Sequence, residues 1–339
     1  MDSGLPAIGL GLAATMSITN VLTDVARKRA LEKRDLVPAT FWMRVAVTVV
    51  FAVVLVVRVL MGAPAGIHVP LPTFFGYLVV DVTLITAVMW LYFRALQISP
   101  LSLCVPFLSF TPVFLLGTGF VMLGELPEPV KILGVALIVV GSFVMHRRLF
   151  AVSWLAPAKA VIQEKGSRYM LLVSMIFAIT NPLDKKLVVM SDVFTEALAY
   201  GIGLCIAFWL MGRAQKADFA KAAEGNWKWI SLAGLLDGVS LLFQLASYTY
   251  IAVVITVSIK RAGIILSVFS GWLFFKERGI TDKVIAASVM FCGVLILYLQ
   301  LTAWQAVGLT VATLVGMSVA LWMTREEKVP AAEEAGERG

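Results

Sequence analysis

Residues 124–141 read GELPEPVKILGVALIVVG, and residues 276–293 read KERGITDKVIAASVMFCG. Laid over one another without a gap, they match Glu125 to Glu277, Lys131 to Lys283 and Gly141 to Gly293, all at an offset of 152. A second pair, ITNVLTD at 18–24 and ITNPLDK at 179–185, matches Asn20 to Asn181 at an offset of 161. The basic loop ARKRALEKRDL at 26–36 accounts for the nine extra residues. Two separate matches reconciled by one insertion indicate an internal duplication.

The duplicated unit is apolar. Of 339 residues 60% are hydrophobic and 14% charged, with a mean hydropathy of +0.91, against about a quarter charged in soluble domains. Runs of the roughly 20 residues that cross a bilayer as helix recur along the chain. They are continuous rather than alternating, which disfavours a transmembrane β-barrel. The start, MDSG, has no basic stretch of the kind that opens a signal peptide, so the first run is expected to stay as a helix. Cys104, Cys205 and Cys292 fall in separate runs without metal-ligand spacing and read as small apolar side chains.

The runs place spans at about 5–24, 41–61, 74–97, 100–123 and 129–146, then 169–188, 193–212, 229–249, 252–275 and 283–300. The expected fold is an all-α polytopic membrane protein. A first five-helix repeat occupies 1–150, a basic linker 151–168, and a second five-helix repeat 169–301. An eleventh transmembrane helix follows at 302–324, then a charged, disordered tail at 325–339.

Charge orients these spans. Arg58, Lys131, Lys185 and Lys186 are the four loop cations on one side; all the others, from Arg27, Lys28 and Arg29 to the tail, fall on the opposite side. By the positive-inside rule the N-terminus is outside and, with eleven spans, the C-terminus inside. An odd number of spans per repeat inverts one copy relative to the other. Inverted repeats are a transporter architecture with the substrate site near the midplane.

The segments ALQISPLSLCVPFLSFTPVFLLGTGFVMLGE (95–125) with KILGVALIVVG, and SIKRAGIILSVFSGWLFFKER (258–278), resemble the paired helix-four and helix-nine segments of the EamA family of the drug/metabolite transporter superfamily. The resemblance covers about 5–300. It implies two inverted five-helix bundles around a central cavity lined by helices one, three, four, six, eight and nine. Two features depart from the family. Pro112 matches its mid-helix proline, whereas the second repeat has Gly263-Ile264 there. The charges here also argue for an outside N-terminus, where the family commonly keeps both termini in the cytoplasm.

Six ionisable residues fall well inside spans: Arg44, Asp81, Glu196, Asp237, Lys260 and Arg261. Each costs at least about 2.5–3.5 kcal/mol on a lipid-facing helix centre, so they should face protein or water. The bland reading is interhelical salt bridges, since the signs balance. The functional reading makes Lys260 and Arg261 the site for an anionic or zwitterionic substrate, with Asp237 holding Lys260 in the empty state or carrying a proton. Asp81 is a substrate-amine ligand or proton carrier. Asn20 and Asn181 either cap helix ends or bind substrate. Arg44 and Glu196, equivalent under the 152 offset, read as a gate or ion pair. Pro182 should bend span six.

Catalysis is unlooked for: His68 and His146 sit in loops, and no HExxH, GxSxG or Walker A sequence occurs. No cofactor or metal is expected. The basic balance orients the chain in a membrane rather than marking nucleic-acid binding. The reading is a secondary exporter of small polar or amphipathic metabolites, with a coupling proton, working by alternating access in the bacterial inner membrane as a monomer or homodimer. The alternative is a flippase for a lipid or lipid-linked headgroup on the same scaffold.

Overall fold

The computed structural model describes residues 4–31, 35–62, 66–98, 105–145, 165–263, 280–299 and 301–326. Cys104, His146, Ile264, Glu277 and most of the linker and tail lie outside them. The first repeat comprises α1 (Gly4–Leu31), α2 (Leu36–Leu60), α3 (Leu71–Ile98), a 3-10 turn at Val105–Phe110 running into α4 (Thr111–Leu123), and α5 (Pro129–Met145). The second comprises α6 (Lys165–Met190), α7 (Val193–Ala214), a short helix at Phe219–Ala223, α8 (Trp227–Tyr248), α9 (Val253–Ala262) and α10 (Ile280–Tyr298). A final helix, α11 (Ala303–Glu326), lies against α5 and α10.

Among the described residues, five helices are long and apolar enough to cross a bilayer: α1, α2, the Leu71–Tyr92 part of α3, α7 and α8. Their outer faces are apolar too; Val49, Val53, Val56 and Val59 of α2 are each more than half exposed. Inside, the principal core joins both repeats, with Leu10, Phe51 and Leu115 packed among residues such as Leu245, Tyr248 and Ile259.

The helix pairing carries the duplication. α1 packs on α8 and α6 on α3, while α2 faces α7, α4 faces α9 and α5 faces α10. Exchanging each helix with its copy five places on returns the same set of pairs, as a twofold between inverted repeats requires. At the α5–α10 contact a Cβ on Gly134 would come within 2.8 Å of the Gly293 carbonyl oxygen, and one on Gly293 within 2.7 Å of the Gly134 oxygen. The two helices therefore meet backbone to backbone, an approach only glycine permits.

Loop contacts identify the two ends of the bundle. At one end Asn226 Nδ2 donates to the Ala30 carbonyl (2.7 Å) and Trp42 Nε1 to that of Phe219 (2.7 Å). At the other, His68 N–H donates to the Met190 carbonyl (2.8 Å) and Gly66 N–H to Asp192 Oδ2 (3.1 Å). Gly124, at φ 69°, ends α4 in the left-handed region and turns Glu125 toward α9. Glu125 accepts from the Val253 N–H at 3.2 Å and pairs with Lys185, whose Nζ also donates to the Ile251 carbonyl (3.2 Å).

Several expectations change. α1 extends to Leu31 and α6 to Met190, so Asn20 and Asn181 lie within helices and cap neither. The same extension carries Arg27 out of the expected loop and into α1. α6 begins at Lys165, inside the segment read as linker. Pro112 stands at the start of α4, after the 3-10 turn, where its missing N–H is an orphan in any case. Glu196 lies in the first turn of α7 rather than deep in a span, yet is 1% exposed.

Candidate functional site

Pro182 interrupts α6 internally. Lacking an N–H, it cannot bond the carbonyl four residues back, which belongs to Ala178. Thr118 Oγ1 of α4 donates to that carbonyl at 2.5 Å, tying the two helices where the ladder is broken. One residue before the proline, Asn181 turns its Nδ2 to the Phe177 carbonyl and offers Oδ1 across the bundle. Tyr248 OH donates to that oxygen at 2.8 Å, and Gln244 Nε2 donates to the tyrosine oxygen at 2.8 Å. Gln244 Oε1 in turn accepts from Lys260 Nζ at 2.7 Å. This connected network fixes the direction of every amide in it.

Lys260 and Arg261 both line the central cavity from the last turn of α9. Arg261 Nη2 donates to Thr111 Oγ1 (3.2 Å), and its guanidinium lies 5.9 Å from the Phe177 ring centroid. Asp237 pairs with Arg44 and, at 3.1 Å, with Arg27 Nη2, while Lys260 is near enough for its charge to act on it. Two forked cations reach its two oxygens from α2 and α1. In the sequence Arg27 stands in the basic stretch ARKRALEKRDL, which looks like a loop.

A second ionic group lies toward the other end. Asp81 of α3 is fully buried; its carboxyl adjoins that of Asp184 on α6, with Glu196 of α7 nearby. Asp184 is masked in the sequence in the same way, since Lys185 and Lys186 make its surroundings look like a loop. The signal was present in NPLD, since Asp184 is three residues from Asn181 and so shares its helix face. Arg44 and Glu196 do not pair with each other; they belong to these two separate groups.

The cavity between the groups has a volume of about 200 Å³. Asn20, Asn181, Asp184 and Asp237 line it, whereas Asp81 and Glu196 lie behind its wall. α3 contributes Ile85, Val88, Met89 and Tyr92, and α8 contributes Asp237, Ser240, Leu241 and Gln244. These are the same four positions 152 residues apart. Leu108 and Lys260, and at the other offset Asn20 and Asn181, add two more pairs. α2 and α7 reach the wall too, through Arg44 and Tyr200, beyond the helices that the family resemblance implied.

Outside the spans, Asp192 caps α7, accepting from the N–H groups of Phe194 (2.9 Å) and Thr195 (3.2 Å) and from Thr195 Oγ1 (2.6 Å). Burial pushes its carboxyl up, but these donors and the Gly66 N–H outweigh that and hold it below its ordinary value. Among the described residues no His, Cys, Asp and Glu group is arranged to hold a metal.

A solved crystal structure has the same fold over 87% of this chain and 96% of its own, with a TM-score of 0.66 and 14% identity. No curated protein matches the chain. A family model described as the EamA-like transporter family matches residues 7–147 and 164–299, one block per repeat. With both repeats matched and most of its length covered, the chain belongs to the EamA-like transporter family of the drug/metabolite transporter superfamily.

Proposed function

We propose that this multi-pass membrane protein is a secondary exporter of small polar or amphipathic metabolites, working by alternating access with proton coupling in the bacterial inner membrane. The observation that carries the reading is a cavity at which twelve of the twenty wall residues pair across the repeats. A site on the twofold can be closed from either end by equivalent rocking of the two bundles. In this reading the α1–α2 and α7–α8 connections are cytoplasmic, which the charge asymmetry of the loops supports.

The cavity has one apolar and one polar wall. Where α3 offers Ile85, Val88 and Tyr92, α8 offers Asp237, Ser240 and Gln244; where the first repeat has Leu108, the second has Lys260. Such a pair of walls suits a solute with an apolar body and a charged end, the anionic part meeting Lys260 and Arg261. A volume of about 200 Å³ is below the roughly 300–1,000 Å³ of sites for drug-sized ligands, which favours a small solute over a lipid-linked headgroup.

Proteoliposomes provide the test. Flux of labelled small metabolites, stimulated by an imposed pH gradient, is the expected result. Absence of solute flux together with a protein-dependent change in headgroup accessibility of labelled lipids would establish the flippase instead. Solute flux indifferent to the gradient would remove the proton.

A further inference from the structure

Asp81, Asp184 and Glu196 bring three carboxyls from three helices into one place. Asp81 is 0% and Glu196 1% exposed, and none of their four carboxyl oxygens has a hydrogen-bond donor among the described residues. The Asp81 carboxyl lies against that of Asp184, with Glu196 near enough for its charge to be felt by both. The other polar groups facing the cluster are Tyr200 of α7, Tyr248 of α8, Lys260 of α9 and Arg44 of α2. Arg44 is engaged by Asp237 and Tyr248 by Asn181, while Lys260 donates to Gln244 and its charge still reaches Asp184.

Adjoining carboxyls in a dry site cannot all be ionised, and an unpaired buried carboxylate is too costly to persist. A carboxylate only accepts hydrogen bonds, whereas a carboxylic acid also donates one. One proton shared between Asp81 and Asp184 therefore supplies the missing donor and removes a charge in a single step. A second proton does the same for Glu196. Only Asp184 of the three reaches the cavity wall, which gives the cluster one door.

We propose that Asp81, Asp184 and Glu196 form a proton-binding site, loaded at neutral pH and discharged through Asp184 into the cavity. The proton passes from the Asp184 carboxyl to cavity water, leaving a carboxylate on the wall. A substrate ammonium arriving there stabilises that carboxylate, so substrate and proton exclude one another. An exporter driven by an inward proton gradient requires that exchange, and to this extent the inference rests on the transporter reading. It moves the coupling role away from Asp237, which is paired with two guanidiniums.

The test is labelling of the full-length protein in liposomes with dicyclohexylcarbodiimide, which couples to carboxylic acids in apolar surroundings, followed by peptide mass mapping. Expected is modification at the cluster at neutral pH, falling as pH is raised, with Asp237 unmodified as an internal control. Asp81→Asn is expected to lower labelling of Asp184 several-fold, because its amide donates to the carboxylate form. Absence of cluster labelling at neutral pH, or equal labelling of Asp237, overturns the proposal. Suppression by sodium chloride but not choline chloride at constant pH also overturns it, in favour of a metal-cation site. Labelling needs no substrate flux: flux without labelling sinks the site alone, and labelling without flux sinks the transport reading alone.

Discussion

Arg44 and Glu196 hold the same position in the two repeats, 152 residues apart, and each belongs to a buried ionic group of opposite character. Arg44 joins Arg27 and Asp237 on α2, α1 and α8, at the end of the bundle marked by the Asn226–Ala30 contact. Glu196 joins Asp184 and Asp81 on α7, α6 and α3, toward the end marked by His68 and Met190. These helix triplets exchange under the twofold. Duplication thus supplied two equivalent niches, and divergence filled one with cations around a carboxylate and the other with carboxyls alone.

The cationic group predicts a non-additive result. Asp237→Ala removes the carboxylate that Arg27 and Arg44 share; removing one partner of a fully buried pair costs about 3–5 kcal/mol, and this partly exposed one should cost less. Combining it with Arg44→Met removes one stranded charge and should recover part of the loss. Unfolding in detergent of the two single variants and the double variant measures the coupling; simple additivity would mean that the pair contributes nothing as a unit.

Thr118→Val tests the bridge to the broken ladder of α6. The substitution keeps the shape and removes the donor to the Ala178 carbonyl, which Pro182 leaves without its helical partner. An unsatisfied buried acceptor costs about 1–3 kcal/mol. Pro182→Ala restores the helical N–H, so in that background Thr118→Val should be nearly harmless, again read as unfolding in detergent.

Asp192 carries a pH dependence outside the membrane. Its folded value is depressed, so its contribution is present above the ordinary aspartate value of about 3.9 and fades as pH falls through the lower folded value. Asp192→Ala should cost about 0.5–2 kcal/mol at neutral pH, as for other helix caps, and proportionately less in acid. A difference between wild type and variant that is constant with pH would show that the carboxylate charge is irrelevant to the cap.

The repeat, the helical class and the helix order were legible because spacing and apolar length survive divergence. Asn20, Asn181, Asp237, Lys260 and Arg261 stood out as polar residues in apolar runs, and all line one cavity. Arg27 and Asp184 did not, since each sits beside further charges that imitate a loop: Lys28 and Arg29 in one case, Lys185 and Lys186 in the other. Partner choice was illegible too. That Asp237 meets two arginines, leaving Lys260 to Gln244, depends on crossing geometry between α1, α2, α8 and α9, which no spacing within one helix encodes.

Lys260→Ala separates binding from folding. Its ammonium donates to Gln244 Oε1, and cavity water can satisfy the amide oxygen that truncation frees. Arg44 and Asp237, by contrast, remain paired in the variant. Insertion and detergent stability should therefore stay close to wild type, within about 1 kcal/mol for a lost hydrogen bond. Flux of an anionic or zwitterionic substrate should fall to background, and Lys260→Arg should restore part of it by returning the charge without the geometry. The stability of each variant is read in detergent, and its flux in proteoliposomes at matched protein content. Wild-type flux in Lys260→Ala would remove this residue from the substrate site, while loss of insertion would make its role one of folding.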